Sequence, residues 1–263
     1  MKHRLKAAEG SKLLKATLAR EFPGTKFSVR MSRGTAYGSI DIRYENGPSF
    51  EDVDAIASGF EGKSFDGSID LEYHKETSYC PVHGARFAGT TGTAGSMGHV
   101  TPTGLPELGE TSTLCCEKGY LCDFGLGYIH VQRELTVEAQ AFLVDAFNTR
   151  QGHQELVMEV VEHTFGNEVH QYVQIYREGL AKHDGAGYEY TEYRRKADLR
   201  DPSKLLREAR AYREERLAYY AKMDAERKAK QAAELLDIAK KEVRGERKEF
   251  RLNYLGHSKP ILN

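Results

Sequence analysis

A chain of 263 residues, 40% hydrophobic and 29% charged, is long enough for one or two domains with a real core. Its composition fits a globular part joined to a solvated helical part. The opening MKHRLKAAEGSKLLKATLAREF is charged and amphipathic, so no secretory leader is expected, and no apolar run approaches the ~18 residues of a membrane span.

A protein of this kind is expected in the cytoplasm. In that reducing compartment its four cysteines read as metal ligands or a redox site rather than structural disulfides. The net charge of −1 hides an asymmetry: Lys204 to Arg251 holds 15 Lys and Arg against 10 Asp and Glu, a net of +5, leaving −6 elsewhere. Such a basic tail on an acidic body suits nucleic acid or an acidic protein surface, or it is a solvated helix with paired charges.

In chain order, residues 8–22 place Leu13, Leu14, Ala16, Leu18 and Phe22 on one helical face, stopped by Pro23-Gly24. KFSVRMS and SIDIRYENG alternate as strands, joined by SRGTAYG, and the second ends in an Asn46-Gly47 turn. Ser49 then caps SFEDVDAIASGF, with Asp52 three residues on. The order helix, strand, strand, helix predicts an α+β unit, a small antiparallel sheet with helices on one face. Thr136 caps a further helix that Gly152 ends. HQELVMEVVEHTFGNEVHQYVQIYREGL reads as one or two helices, and AKHDGAGYEYTEYRRKADLR as a Gly- and Tyr-rich break. Asp201-Pro202 starts a helix with no interruption before Gly245. The expected organisation is an α+β domain over 1–150 and an all-helical half over 151–263, with a long basic helix from about 202 to 250.

The stretches FPGTKFSVR, GPSFEDVDAI and FEGKSFDGSID resemble the large polyvalent protein-associated domain family, number twenty-nine of its series. Ser68 stands where that family's Phe-Asp-Gly-Met-x-Asp pattern has Met. FGLGYIHVQREL (Phe124–Leu135) is similar to its closing strand, with Gly127 in place of an Asp. The resemblance covers roughly residues 8–75 and 122–150 and implies a phage or plasmid source, hence a bacterial host. It carries no agreed catalytic residues, and it is silent on the cysteine-rich insertion at 76–123.

All four cysteines sit at the ends of that insertion. Cys80-Pro-Val-His83-Gly84 has zinc-knuckle spacing, two ligands three apart with a glycine that lets the backbone turn under the metal. Adjacent Cys115 and Cys116 diverge, so one of them pairs with Cys122, and Cys116 is favoured. The expected site is Cys80, His83, Cys116 and Cys122 around a structural zinc that anchors the excursion. His74 and His99 are spare ligands, and a reactive thiol pair or buried unliganded cysteines are the alternatives.

GTTGTAGSMG (Gly89–Gly98) lacks the Gly-Lys-Ser/Thr ending of a phosphate loop and reads as a mobile loop. Glu159, Glu162, His163, Glu168 and His170 lack His-Glu-x-x-His spacing, so His163 reads as a partly buried helix histidine. No nucleophile–base pair emerges, and a non-enzymatic protein is expected. Lys204, Arg207, Arg210, Arg213 and Arg216 recur every three residues and so spiral around a helix by ~60° per step. Leu205, Ala209, Tyr212, Tyr219 and Met223 form a narrow seam, extended by Ala232, Ala233, Leu236, Ala239 and Val243, that suits helix pairing, including a homodimer. Lys204, Arg207, Arg210, Arg213, Tyr212 and Tyr219 are therefore the candidate partner-binding residues.

The expectation is a non-enzymatic interaction protein of a mobile genetic element, a counter-defence factor of anti-CRISPR type that binds a host protein or nucleoprotein complex. The alternative is a zinc-containing nucleic-acid-binding protein of plasmid transfer or regulation.

Overall fold

The computed structural model of the chain describes residues 3–32, 38–66, 70–95, 98–100, 114, 116–152, 155–166, 168–179 and 186–243. In chain order the elements of the first half are β1 (His3–Arg4), α1 (Ala7–Glu21), β2 (Ser28–Met31), β3 (Ile40–Glu45), α2 (Phe50–Ser58), β4 (Lys63–Asp66), β5 (Leu71–Cys80) and β6 (Gly84–Gly95). There follow β7 (Gly98–Val100), β8 (Tyr120–Asp123), β9 (Ile129–Glu134), α3 (Val137–Gln151), β10 (Leu156–Phe165), β11 (Glu168–Arg177), α4 (Ala186–Lys196) and α5 (Pro202–Val243). The chain divides into two units, Met1–Arg210 and Ala211–Asn263. The architecture is α+β with a long C-terminal helix.

Local signals fix the first elements. The Ser49 hydroxyl accepts the Asp52 amide at 3.0 Å to open α2. The Thr136 hydroxyl accepts the Ala139 amide at 3.2 Å to open α3, which Gly152 ends at φ 84°. Asp201 accepts the Lys204 amide at 2.9 Å at the head of α5. Each cap satisfies a backbone donor that the helix itself leaves open.

β3 pairs antiparallel with β2 but parallel with β9, so the sheet expected to be antiparallel is mixed. Alternation along β3 turns Ile40, Ile42 and Tyr44 inward, where α1 contributes Leu14 and Leu18, and α2 contributes Val53. The segment between β8 and β9 closes this core with Phe124 and Leu126. The contact is close. A Cβ on Gly10 of α1 would lie 2.2 Å from the Phe124 carbonyl oxygen, and Gly125 holds φ +66° beside the Leu5 carbonyl.

β5 is the spine of a second sheet: β6 runs along one edge, and β4 and β8 share the other. β1 adds to β8 in parallel. The Gly- and Thr-rich stretch expected as a loop is instead largely strand, β6 to Gly95 and β7 from Gly98, with 96 and 97 outside the described residues. Its β-branched threonines suit a strand, and the buried Thr90 hydroxyl donates to the His74 carbonyl at 2.8 Å.

The largest departure lies at residues 156–177, where an antiparallel hairpin, β10 and β11, replaces the expected helices. Val157, Val160, Val161, Val169 and Val173 favour extended backbone, and Gly166 supplies φ +63° at the turn. His163 therefore sits on a strand in register with His170, and the side chains of both lie outside the described residues. α4 forms where a break was expected, because Tyr190, Tyr193 and Ala197 recur at helical spacing and are buried. A second core gathers Leu143, Val144 and Phe147 of α3 with Leu156 of β10, Tyr190 and Tyr193 of α4, and Leu205 of α5. The 151–263 region is thus not all-helical, and α3, counted with the first domain from sequence, packs in this second core.

Candidate metal centre

Cys80 ends β5 and Gly84 begins β6, the two facing each other in register, so Pro81, Val82 and His83 form a three-residue hairpin loop. Gly84 takes φ +79°, the left-handed residue that such a loop needs. The loop folds His83 back over Cys80, with Sγ and Nδ1 3.5 Å apart. The Val82 amide donates to the same sulfur at 3.4 Å.

Cys116 arrives from the other side. The Gly119 amide donates to the Cys116 carbonyl at 2.9 Å, a turn that leads into β8. β8 pairs antiparallel with the end of β5, Tyr79 opposite Tyr120, so this turn lies next to Cys80. Its sulfur stands 3.7 Å from Cys80 Sγ and 3.7 Å from His83 Nδ1. One ligand atom from each of Cys80, His83 and Cys116 lies within 4.8 Å of the others, and the group could hold a metal ion. Cys80 is fully buried, Cys116 half-buried and His83 exposed, so the centre sits at the surface with its deepest sulfur against the protein.

Cys122 is not in this group. The rings of Tyr79 and Tyr120 are 5.9 Å apart on one face of the sheet, and Cys122, two residues past Tyr120, shares that face. Its neighbours there are the first core, in which it is 1% exposed. Cys80 follows Tyr79 and takes the opposite face. Nothing in the sequence reading placed residues 120–123 on a strand, so this alternation was invisible. Cys115 lies outside the described residues. His74 is exposed on β5, and His99 lies on β7.

The six candidate partner-binding residues all lie on α5. Lys204 pairs with Glu208 at 3.7 Å, while Tyr212 and Tyr219 are exposed. Sequence reasoning passed over Tyr220 and undervalued Arg216, whose Nε and Nη2 donate to the Tyr220 hydroxyl at 3.3 and 3.2 Å. Spacing of i and i+4 on a helix was the available signal. No helix among the described residues is long and apolar enough to cross a membrane.

A family model, large polyvalent protein associated domain 29, matches residues 5–136, just over half of the 263-residue chain. Neither the curated proteins nor the solved structures yield a match. The matched stretch is continuous: it begins at α1, crosses the cysteine segment and ends at the Thr136 cap of α3. It thus takes in the whole first core and the metal-competent cluster. The chain belongs to the large polyvalent protein associated domain 29 family, which is of phage and plasmid type.

Proposed function

We propose that this chain is a non-catalytic interaction protein of a mobile genetic element, in which a structural zinc ion pins the cysteine segment. The observation that carries this reading is the triangle of ligand atoms. A tetrahedral zinc with Zn–S near 2.3 Å and Zn–N near 2.0–2.1 Å separates two sulfurs by about 3.8 Å and a sulfur from a nitrogen by about 3.6 Å. The sulfur pair here is at 3.7 Å and the two sulfur–nitrogen distances are 3.5 and 3.7 Å. Cys80, His83 and Cys116 would hold the ion, and the fourth position falls to a further ligand. Bound there, the ion would act as a cross-link: it would tie the β5–β6 turn to the approach of β8, closing the excursion between them.

With its segment pinned, the molecule offers surfaces to a host protein or nucleoprotein complex, and the role proposed is counter-defence of anti-CRISPR type. Family membership supports the mobile-element source, and the exposed aromatic and basic residues of α5 support a binding role. Metal analysis of purified protein tests the pin: about one zinc per chain is expected, lost in Cys80→Ser and Cys116→Ser and kept in Cys122→Ser. Zinc absent from the wild type, or retained by both of the first two variants, overturns it. The role is tested by transformation of a CRISPR-targeted plasmid into hosts of known system type expressing the chain. Restored transformation supports the reading, and unchanged interference across all types tried refutes it.

A further inference from the structure

We propose that one face of α5, from Tyr212 to Met223, is a docking face for single-stranded nucleic acid. At 100° per residue, Tyr212, Arg216, Tyr219, Tyr220 and Met223 fall within a sector of about 100°. Between those ends no other residue enters the sector, so it carries no carboxylate. Glu214, Glu215 and Lys222 project elsewhere. Lys230 and Arg227, the latter paired with Asp224 at 2.8 Å, continue it on the C-terminal side.

The side chains form a joined surface. Arg216 reaches the Tyr212 hydroxyl at 3.5 Å and lies over the Tyr220 ring, 5.6 Å from its centre. Tyr219 and Tyr220 meet edge to face at 5.7 Å. Tyr219 is 58% exposed, Tyr220 52% and Met223 46%, which is far from the burial these side chains favour.

Ring faces with guanidinium beside them are what an unpaired base and its phosphate take: stacking on tyrosine, charge from arginine. The face runs about 16 Å, room for four or five nucleotides at ~3.4 Å. A duplex hides its base faces and offers phosphate alone, which makes no use of three tyrosines. A second copy of the helix would set Arg216 and Lys230 against like charges, at an electrostatic cost. An acidic peptide would want cations in place of the rings. Charge and stacking together select the single strand.

The inference deepens the proposed function by naming the nucleic-acid part of a nucleoprotein partner, and rests on it only in taking α5 as a binding surface. Its test uses purified full-length chain and labelled 20-nucleotide oligothymidylate, oligouridylate and a 20-base-pair duplex, followed by fluorescence anisotropy at 50 and 200 mM NaCl. Either single strand is expected to bind at least tenfold more tightly than duplex, and more weakly at the higher salt. Which of the two binds tighter assigns DNA or RNA. Tyr219→Ala/Tyr220→Ala should weaken binding at least tenfold with helicity by circular dichroism unchanged.

No anisotropy change up to 50 µM protein overturns the inference, as does equal binding by the double variant or by duplex. A concentration-dependent dimer or an acidic peptide complex that the double variant abolishes, without oligonucleotide binding, also overturns it by assigning the face to that partner. Because no host protein enters the assay, its failure leaves the reading of a host-protein partner standing.

Discussion

Arg133, near the end of β9, is the side chain whose removal should be felt most widely. Its Nε donates to the Asn46 carbonyl at 2.7 Å, Nη2 to the Gly47 carbonyl at 3.2 Å, and Nη1 to the Arg194 carbonyl at 3.0 Å. Asn46 and Gly47 form the turn after β3, both with positive φ, and Arg194 lies in the last turn of α4. One guanidinium therefore ties the first core to the second. Burial draws its pKa below the ordinary arginine value, while the Tyr44 phenol and the Asp198 carboxylate push the other way. Methionine at this position keeps the stem but removes the guanidinium from all three carbonyls, of which Gly47's keeps the Leu199 amide at 3.0 Å. At about 1.5 kcal/mol for each hydrogen bond to a charged group, and with water replacing part of what is lost, Arg133→Met should cost about 3–4.5 kcal/mol. Chemical denaturation followed by circular dichroism measures it, with Arg133→Lys expected to retain a minor part. A loss below about 1 kcal/mol would show that the three bonds exchange freely with water and that the two cores do not lean on this residue.

Gly10→Ala should destabilise, although alanine is the better helix former by about 1 kcal/mol, since its Cβ would meet the Phe124 carbonyl oxygen at 2.2 Å. A higher midpoint in urea for this variant would refute the close packing of α1. Burial pushes the Tyr190 and Tyr193 phenols up to about 12. The unfolded chain releases those protons near pH 10 while the folded chain still holds them, so stability is fully present below pH 10 and falls between about pH 10 and 12. A melting temperature flat across that window would contradict it. Neither hydroxyl finds a hydrogen-bond partner among the described residues, so Tyr193→Phe should be at least as stable as wild type at pH 7, by urea denaturation. Chelation of the metal should lower the melting temperature, and added zinc should restore it, with Cys116→Ser unresponsive to both.

What was legible in the sequence depended on how local the determinant was. Ser49, Thr136, Gly152 and Asp201 act within one helical turn, and each ends or starts its helix as read. The Cys80-x2-His83 pair is equally local, since a three-residue loop brings its ligands together. Cys116, favoured over Cys115 from the sequence, is brought to them by the pairing of β8 with β5, a contact between residues about forty apart, and that same pairing turns Cys122 to the other face. The hairpin at 156–177 is not legible in the pattern because its valines also fit a helical stripe, and only Gly166, at φ +63°, marks the turn between the strands. In α4 the glycines at its start and the tyrosines within it suggested a loop, yet the second core needed aromatic surface from that segment. Tertiary demand overrode propensity in both places.

The parallel strand pairs of β1 with β8 and β3 with β9 have a consequence for synthesis of the chain. At ~5–20 residues per second, α1 has left the ribosome several seconds before Glu134 exists to complete β9. Until then Leu14, Leu18, Ile40 and Ile42 have no lid, and the nascent chain carries them into the cell uncovered. Ribosome-associated chaperones that recognise apolar segments should occupy this chain up to roughly residue 136 and release it soon after.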